Sequence, residues 1–414
     1  MTSTKTEPKK RNFLQVFLEE SSNTSLKVIL LAIFSGLVAG GILIIITEPK
    51  IYAAFGISFQ EGLISILKTL QDTYVSLFIG AVGDPAKIFE AIRSGNGTTI
   101  LTAMKPIFES LVVSTPYIFS GLALALGFRV GLLNIGAEGQ VFMGATAACW
   151  AGYAIKGLPA IVHIPVALGI GALAGGLWGF VPGWLKAKTG AHEVITCIMM
   201  NYTAFNLVQF LISGPMKDPK EFTPKTPWIE TTAQLPQIFP GLNRFHIGFF
   251  IALVVAFLVW YLLFKTSWGY EMRMVGLNPN AAKYAGMNIT FLTVISMSLS
   301  GALAGLAGAN EILGVTYRQV PSFSSGYGFD AIALALLGNN HPVGVVLAAL
   351  LFGFLRSGSR LMQLRAGIPV ELISILQAFI MIFIAAPAIV RTIYRIKEPN
   401  LIEDSNKPST AGGK

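Results

Sequence analysis

The chain has 414 residues, of which 53% are hydrophobic and only 12% are charged, and its mean hydropathy is +0.64. A soluble globular domain carries about 25% charged residues, so this chain lacks the charge needed to cover a surface that faces water. Apolar runs of about 20 residues, long enough to cross roughly 30 Å of hydrocarbon, recur along the chain. The composition therefore predicts an all-α, polytopic helical membrane protein and excludes a soluble domain.

The net charge of +9 does not indicate nucleic-acid binding. Lys and Arg lie mostly in short segments between apolar runs, where basic residues orient membrane helices toward the cytoplasm. Cys149 and Cys197 both fall within apolar segments, and neither the cysteines nor the four histidines show the spacing of a disulfide framework or a metal site. We therefore expect no metal, no nucleic-acid partner and a location in the cell membrane.

The first half of the chain begins with a polar, basic segment, residues 1–25, which we expect in the cytoplasm without a cleavable signal peptide. A first helix is expected over about 26–47, followed by a polar segment over 48–105 that we interpret as an extracytoplasmic insertion. Within this insertion, residues 62–82 carry a lysine and an aspartate four positions apart, as in an amphipathic helix lying on the membrane. If that helix spanned the membrane instead, every later segment would have the opposite orientation.

Further membrane helices are expected over 106–127, 138–157, 161–185, 193–213, 246–265 and 290–313. Basic residues in the connections test this assignment, because they should collect on the cytoplasmic side. Those that fall on the same side as the N-terminus are Arg129, Lys186, Lys188, Lys265, Arg273 and Lys283. Their agreement supports a membrane domain over 26–398, with a cytoplasmic connection over 266–289.

A short apolar run over 331–337 follows Asp330, which we expect to be its N-cap, and stops at Gly338. Seven or eight helical residues rise only roughly 12 Å, so the run predicts a half-helix that enters the membrane without crossing it.

Two more helices are expected, over 342–358 and 369–391. They bring the total to about ten membrane segments and leave a cytoplasmic tail over 399–414. In this scheme three basic residues at and after the end of the first of these helices lie on the outer side, against the positive-inside rule: Arg356, Arg360 and Arg365.

Small residues recur at every fourth position on several predicted helices. The series are Gly36 and Gly40; Gly171, Gly175, Gly179 and Gly183; and Gly301 and Gly305. This spacing lets helix backbones approach closely in lipid, so it predicts a tightly packed bundle rather than a binding site.

Three stretches depart from the apolar pattern, and the first is the connection over 266–289. Within it, Asn278 can cap a helix, Pro279 suits the first helical position, and Gly286 suits the C-terminal end. These residues predict a helix of about two turns between two membrane spans. Such a helix could press into a groove of a motor subunit; an ordinary structured loop is the alternative.

The second stretch runs from Asn134 to Gln140, between two predicted spans. Gly136 and Gly139 permit a break in the helix, and Glu138 falls in the first turn of the next one, where the helix dipole favours an anion. Broken helices are tolerated where they line a cavity, and they commonly mark substrate paths. The alternative is a cytoplasmic turn with a capping glutamate.

The third stretch is the half-helix with the two asparagines after it, which could instead be a re-entrant packing element. Ionisable residues in membrane segments are functional candidates, and Glu311 is the sharpest of these, although its place near a helix end would also let it reach water. The candidate pathway residues are Asn134, Glu138, Gln140, Glu311, Asp330, Asn339 and Asn340. Amides such as Asn201 are expected to fasten helices together.

The connection over 266–289 resembles the coupling-helix loop of ABC importer permeases, through a glycine followed by an alanine pair and a second glycine. With it, GLLNIGAEGQ, SGALAGLAGANEILG and GYGFDAIALALLG resemble the permeases of the branched-chain amino acid, ribose and nucleoside group. The motif NIGAEGQ, residues 134–140, resembles the corresponding sequence of the larger permease in nucleoside importers that work with basic membrane lipoproteins. The resemblance runs from about 106 to 387. It implies ATPase-coupling roles for Glu271, Arg273, Gly276, Asn278, Pro279, Ala281, Ala282 and Gly286.

The resemblance also implies partners. The chain would form half of a translocation pathway, a second permease would form the other half, and a lipoprotein would deliver the substrate. The chain has no Gly-x-x-x-x-Gly-Lys-Ser/Thr phosphate loop, so ATP and Mg²⁺ would be bound by separate ATPase subunits and this chain would hold no cofactor.

Three alternatives to nucleoside import differ in what they require. A permease for a simple sugar such as ribose would fit the scarcity of buried charge equally well. An ion-coupled secondary transporter would need paired intramembrane carboxylates, whereas the acids here are scattered. An intramembrane enzyme would need a convergent catalytic set, which the sequence does not contain.

Overall fold

The computed structural model describes residues 26–241, 244–321, 323–324, 326–369 and 371–395. The regular secondary structure of these residues is helical, without a β-strand, and one isolated β-bridge joins Gln237 and His246, which confirms the predicted all-α class. The segments expected in the cytoplasm at the two ends, 1–25 and 399–414, lie outside the described residues.

The helices, in chain order, are α1 (Leu26–Thr47), α2 (Pro49–Phe55), α3 (Phe59–Val82), α4 (Pro85–Ser94), α5 (Gly97–Ala103), α6 (Lys105–Arg129), α7 (Ala137–Ala154), α8 (Ala160–Thr189), α9 (Glu193–Ser213), α10 (Gly248–Lys265), α11 (Ser267–Leu277), α12 (Pro279–Tyr284), α13 (Ile289–Glu311), α14 (Tyr327–Leu337), α15 (Pro342–Ala366), α16 (Glu371–Ala385) and α17 (Pro387–Ile393). A π-helical turn, Ile312–Thr316, continues α13, and a short 3₁₀ turn, Thr231–Ala233, lies in the long connection after α9.

Seven of the described helices are long and apolar enough to cross a membrane: α1, α6, α8, α9, α10, α13 and α15. The ten expected segments correspond to these seven together with α7, α14 and α16, which fall short of that length or apolarity. With 11 residues, α14 rises only roughly 17 Å, so its predicted half-helical length agrees with the structure.

Two helices near the end of the chain differ from their predicted bounds. Helix α15 continues past 358 to Ala366, where Gly367 adopts a left-handed φ of 74°. The three arginines expected on the outer side therefore lie on this helix. The single helix expected over 369–391 is broken before Pro387, which lacks an N–H and begins α17.

The chain forms two compact units, Lys50–Val370 and a smaller one from the two chain ends. In the smaller unit α1 packs against α16 and α17. A Cβ on Gly40 would come within 3 Å of the Leu376 side chain, and the Ser35 hydroxyl lies 3.0 Å from the Tyr394 hydroxyl. The small residues on α1 thus serve close packing, as predicted.

In the larger unit α6 is the central helix, in contact with α3, α10, α13, α14 and α15. Its middle is completely buried, including Tyr117, Phe119 and Leu122. The predicted amphipathic segment forms α3, which packs along α15, where Gly80 of α3 meets Gly358 of α15.

Glycines join α8 to α13. Gly171, Gly175 and Gly179 of α8 lie against α13 around Gly301 and Gly305. The helices are so close that a Cβ on these glycines would collide with the opposite helix. The four-residue glycine spacing therefore has the packing role predicted for it, and the α8–α13 pair forms a rigid wall of the unit.

Replacing Gly175 with leucine should force α8 and α13 apart and destabilise the protein, by at least about 1–3 kcal/mol for an overpacked site. Thermal unfolding of the purified protein in detergent would measure this loss. Gly169→Leu, on the same helix but with open space around the glycine, is the matched control and should unfold like the unmodified protein. Equal melting temperatures for both variants would contradict this packing.

Candidate functional site

Residues 130–136, between α6 and α7, are not helical, and we call them the break. Of the stretch predicted to interrupt the helix, Asn134 to Gly136 lie in the break, and Ala137 to Gln140 form the start of α7. The Asn134 amide nitrogen donates to the side-chain oxygens of Gln140 and Ser300, both at 2.8 Å, and the Gln140 amide donates back to Asn134 at 3.0 Å. Ser300 donates in turn to the carbonyl of Ala123 at 2.6 Å. Because Ser300 is the twelfth of the 23 residues of α13, this break reaches the middle of the bundle.

Asn201 of α9 fastens the other side of the break. Its side-chain oxygen accepts the backbone N–H of Gly139 at 2.8 Å, and its amide nitrogen donates to the carbonyl of Ile135 at 2.9 Å. The fastening role expected for this amide is therefore confirmed. It thereby pairs two backbone groups of the non-helical stretch and the start of α7 that would otherwise lack partners.

Glu138 lies in the first turn of α7, as predicted, but its partners come from the start of α14. One carboxylate oxygen accepts from the Ser324 hydroxyl and the other from the backbone N–H of Gly328, both at 2.6 Å. A Cβ on Gly328 would collide with the backbone of Glu138, so glycine permits this contact. The N-terminus of α14, where the helix dipole favours an anion, therefore faces Glu138.

Asp330 completes this group from the first turn of α14. The Tyr117 hydroxyl donates to its carboxylate at 3.0 Å, and a guanidinium nitrogen of Arg356 lies 3.7 Å from the same oxygen. The ring of Tyr117 also meets that of Tyr327 edge-on, with centroids 5.1 Å apart. The predicted N-cap role of Asp330 is wrong: Gly326, with φ 88°, precedes the first helical residue and lets the helix begin one turn earlier.

We call Tyr117, Glu138, Ser324, Asp330 and Arg356 the polar centre. Tyr117 is the thirteenth of the 25 residues of α6, and Arg356 the fifteenth of the 25 of α15, so the centre lies about halfway along two candidate spans. The side chains of Asp330 and Arg356 are 33% and 32% exposed. Charges at that depth must face water or a polar surface rather than lipid.

The other predicted pathway residues lie away from this centre. Asn339 and Asn340 form the turn after α14, both with φ 53°, a conformation that asparagine tolerates. The Arg129 guanidinium donates to their backbone carbonyls, at 3.3 and 2.9 Å. They thus fix the opposite end of α14 from Glu138, through backbone rather than side-chain contacts.

Glu311 belongs to a second polar group, at the end of α13. It is buried just before the π-helical turn and faces the positive charges of Arg244 and Arg360. Arg244 also pairs with Glu109 of α6, whose hydrogen bond raises the pKa of the arginine. Burial, and then the charge of Arg244, lowers the pKa of the neighbouring His246 to about 4, so this histidine is neutral at pH 7.

The predicted short helix in the connection over 266–289 is α12. Its N-cap is Asn278, whose side-chain oxygen accepts the N–H groups of Asn280 and Ala281 at 3.0 and 3.1 Å. Pro279 is the first helical residue and Gly286, with φ 83°, follows the end, as predicted.

Contacts hold α11 and α12 against the break. Ala282 is fully buried in an apolar cluster with Val130, Leu132, Met272, Val275 and Leu292. Gly276 packs so closely on the carbonyl of Arg129 that a Cβ would collide with it. Arg273 stacks over the ring of Phe264 at 5.1 Å, and Glu271 is half-buried. Among the predicted coupling residues, Ala282 is therefore buried in the protein. The exposed ones lie on or next to α12: Asn278, Pro279, Ala281 and Gly286.

Several functional candidates were missed from the sequence: Tyr117, Ser324 and Arg356. Arg356 carried a signal, an arginine within a predicted apolar helix, but its partner Asp330 is distant in sequence and was not foreseen. Within the described residues, no group of three or more His, Cys, Asp or Glu side chains is arranged to hold a metal.

Replacing Asn201 with leucine should destabilise the protein by about 2–6 kcal/mol, since the buried groups of Gly139 and Ile135 each lose a partner worth about 1–3 kcal/mol. Thermal unfolding in detergent is the measurement. Thr203→Val is the control, because this exposed hydroxyl bonds only within its own helix. A variant at Asn201 as stable as the control would contradict the fastening role.

Comparisons with known proteins agree with this geometry. A family model described as the permease component of the branched-chain amino acid transport system matches residues 106–385. The guanosine ABC transporter permease protein NupP of Bacillus subtilis (strain 168) is 40% identical over 373 residues, 89% of this chain and 95% of that protein.

Two further relatives cover less of the chain. The glucose ABC transporter permease protein TsgB13 of Haloferax volcanii is 35% identical over 69% of this chain and 77% of that protein. The nucleoside ABC transporter permease protein NupB of Lactococcus lactis subsp. cremoris is 34% identical over 71% of this chain and 82% of that protein. No solved structure matches the chain.

The family match covers more than half of the chain, and one relative is similar over nearly all of it. The expected resemblance is therefore confirmed. This chain belongs to the permease component family of branched-chain amino acid transport systems, and it is a multi-pass plasma-membrane permease subunit of an ABC importer, in which ATP is hydrolysed by separate chains.

Proposed function

We propose that this subunit imports nucleosides and that its polar centre lies on their pathway. Two relatives similar over most of their length are named for guanosine and for nucleosides. The observation that carries the site is the Asp330–Arg356 pair, a third exposed about halfway along the spans. Such exposure of charge fits a water-filled pathway and does not fit contact with lipid.

The chemistry of the polar centre suits a neutral, polar solute. Asp330 offers carboxylate oxygens that can accept from ribose hydroxyls, and Arg356 offers donors for a ring nitrogen or carbonyl. Tyr117, whose buried ring packs edge-on against that of Tyr327, holds Asp330 in place through its hydroxyl. A simple sugar is the second candidate cargo, because the Haloferax relative is named for glucose.

We propose about ten membrane segments with both chain termini in the cytoplasm. The seven candidate spans, α7, α14 and α16 supply the segments, with 48–105 on the outside and 266–289 inside. Support comes from six basic residues of the connections, which fall on the cytoplasmic side in this arrangement: Arg129, Lys186, Lys188, Lys265, Arg273 and Lys283. Arg360 and Arg365, in the last part of α15, depart from the rule.

The assembly that we propose has a second permease, ATPase subunits that hold ATP and Mg²⁺, and an extracytoplasmic substrate-binding lipoprotein. The ATPase would dock on α12 and the adjoining end of α11, where two large side chains are exposed, Tyr284 of α12 at 96% and Leu277 of α11 at 80%. Exposed apolar groups of this kind are typical of a protein interface.

A push on α12 would reach the polar centre in two steps. Ala282 and Gly276 connect α12 and α11 to the start of the break, around Arg129 and Val130. The break ends at Glu138, which holds the N-terminus of α14. Because packed interiors move as discrete units, a shift of the coupling helices would change how α7 meets α14, and so open or close the pathway.

Nucleoside import can be tested in vesicles containing the permeases, the ATPase and the lipoprotein. Labelled guanosine should accumulate only with ATP, and unlabelled nucleosides should compete while ribose and glucose do not. A hydrolysis-deficient ATPase is the control. Accumulation that persists without ATP but collapses with the ion gradient would contradict the proposal, and full competition by glucose would favour the sugar.

The docking surface can be tested at Gly286. Gly286→Leu should leave the protein in the membrane but abolish co-purification of the ATPase, since the side chain would project into the docking surface. Gly95→Leu is the matched control: this glycine also has a positive φ, 66°, and open space around it, so the backbone strain is similar. ATPase binding retained at Gly286→Leu would argue against docking on α12.

A further inference from the structure

The connection between α9 and α10 has a loosely held part and a firmly held part. Of residues 217–228 only Thr226 is buried, and we call this part the outer lid, because it lies outside the membrane in the topology proposed above. The residues after it are anchored: Ile229 and Leu235 are buried, and the N–H of Leu235 donates to the carbonyl of Leu313 at 2.8 Å. A segment with so few buried contacts has a low local stability, so the lid can open while its anchor stays in place.

The lid lies against residues 317–321, which follow α13 and which we call the entry segment. The N–H of Gln319 donates to the Thr226 hydroxyl at 2.9 Å, and the N–H of Thr226 donates to the carbonyl of Gln319 at 3.2 Å. The N–H of Ile229 donates to the carbonyl of Tyr317 at 3.0 Å. The lid and its anchor thus hold the backbone of the entry segment at two positions.

One side chain of the entry segment also holds the lid. The Arg318 guanidinium donates to Glu221 at 2.8 Å and lies over the ring of Trp228, 4.2 Å from its centroid. We call these two contacts the latch. The side chains of Arg318 and Glu221 are 19% and 34% exposed, and an ion pair in contact with water changes an equilibrium by no more than about fivefold. The latch is therefore weak enough to break and form again.

The entry segment is strained beneath the lid. Gln319 is fully buried, yet within the described part of the chain neither the oxygen nor the nitrogen of its amide has a hydrogen-bond partner. Tyr317 has a φ of 54°, in the left-handed region that favours glycine, and it directly follows the π-helical turn at the end of α13. Both features are costly, and features of this kind cluster in segments that change conformation. Opening of the lid would let the Gln319 amide reach water.

The chain continues from the entry segment into the polar centre. Ser324, three residues beyond the segment, donates to one carboxylate oxygen of Glu138, and Gly328 at the start of α14 donates to the other, both at 2.6 Å. The lid is therefore connected to the contact between α7 and α14 through a few residues of chain. The break connects α12 to the same contact from the cytoplasmic side, so Glu138 lies between two possible points of control.

We propose that the outer lid controls the extracytoplasmic end of the pathway; this inference rests on the proposed transport function. While the latch is closed, the lid holds the entry segment in place and Ser324 on Glu138, which keeps the contact between α7 and α14 closed. When the latch breaks, the lid moves away from its anchor, the entry segment follows, and the polar centre opens to the outside. Strain in the entry segment favours opening, and the latch opposes it.

A single substitution can lock the lid. The Thr226 hydroxyl lies 3.2 Å from the sulfur of Cys149 on α7, so Thr226→Cys brings two sulfurs close to the length of a disulfide bond, about 2.05 Å. In vesicles with the assembled transporter, oxidation by copper phenanthroline should abolish ATP-driven guanosine uptake by this variant, and a reductant should restore it. Thr226→Cys combined with Cys149→Ala is the matched control, and oxidation should not change its uptake. Uptake that continues after the free thiols have been lost would overturn the inference.

Labelling of the entry segment measures opening directly, whether or not that disulfide forms. Cys149 and Cys197 are buried, so the unmodified chain should react little with an impermeant thiol reagent added outside. Gln319→Cys should react slowly, because the lid covers it. Adding Glu221→Gln should speed that labelling by about two- to fivefold, since this change removes the ion pair of the latch.

Two variants of the lid are the controls for labelling. Lys225→Gln is matched to Glu221→Gln: Lys225 lies 3.9 Å from the Glu221 carboxylate but belongs to the lid itself, so its loss leaves the latch intact and should not speed labelling at position 319. Phe222→Cys, on the exposed surface of the lid, should react rapidly from outside.

The remaining outcomes separate this inference from the proposed function. Labelling of Gln319→Cys that is unchanged by Glu221→Gln, or that is as fast as that of Phe222→Cys, would overturn the lid. So would a lack of labelling at Phe222→Cys, because the loop would then not lie outside. Labelling does not depend on the cargo. If the unmodified transporter imports no guanosine, nucleoside import therefore fails separately, whereas guanosine import through a locked lid refutes the lid alone.

Discussion

Inside a membrane, a chain that leaves the helix must still pair every N–H and C=O group, and the larger unit depends on how this is achieved between α6 and α7. The Asn201 side chain supplies partners for the N–H of Gly139 and the C=O of Ile135, while the amides of Asn134 and Gln140 bind each other and Ser300. Because these groups are paired, α7 can begin in the middle of the bundle, and Glu138 can meet the first turn of α14. The polar centre exists because the break is stable.

The larger unit contains two kinds of helix contact, close glycine packing and polar side-chain contacts. The glycine contacts between α8 and α13 leave no room for adjustment, so this pair is a fixed frame. On the other side of α6, short polar contacts join α7, α14 and α15 at the polar centre, and hydrogen bonds of this kind can exchange with water or a solute. A transport subunit needs both, since a moving gate requires a frame against which to move.

Much of the fold followed from hydropathy and capping residues: the apolar helices, the short α12 with its Asn278 cap, and the half-helix ended by Gly338 were predicted within a few residues. The contacts of the site were not, because they join residues far apart in sequence, such as Tyr117 and Asp330. Helix α15 was predicted to end at 358, eight residues before its end at Ala366, and its arginines were expected on the outer side. In the fold one of them, Arg356, pairs with Asp330. This is a tertiary contact, which hydropathy and spacing along the sequence do not predict.

The contact of Gly276 with Arg129 has a consequence for building hybrid transporters. In the docking arrangement proposed above, the exposed surface of α12 could be redesigned to accept a different motor one residue at a time. Helix α11 cannot be exchanged in that way, because its glycine fits against one particular backbone segment with no side chain between them. A graft of a foreign motor interface should therefore carry α11 and residues 129–131 together, as a single interchangeable part.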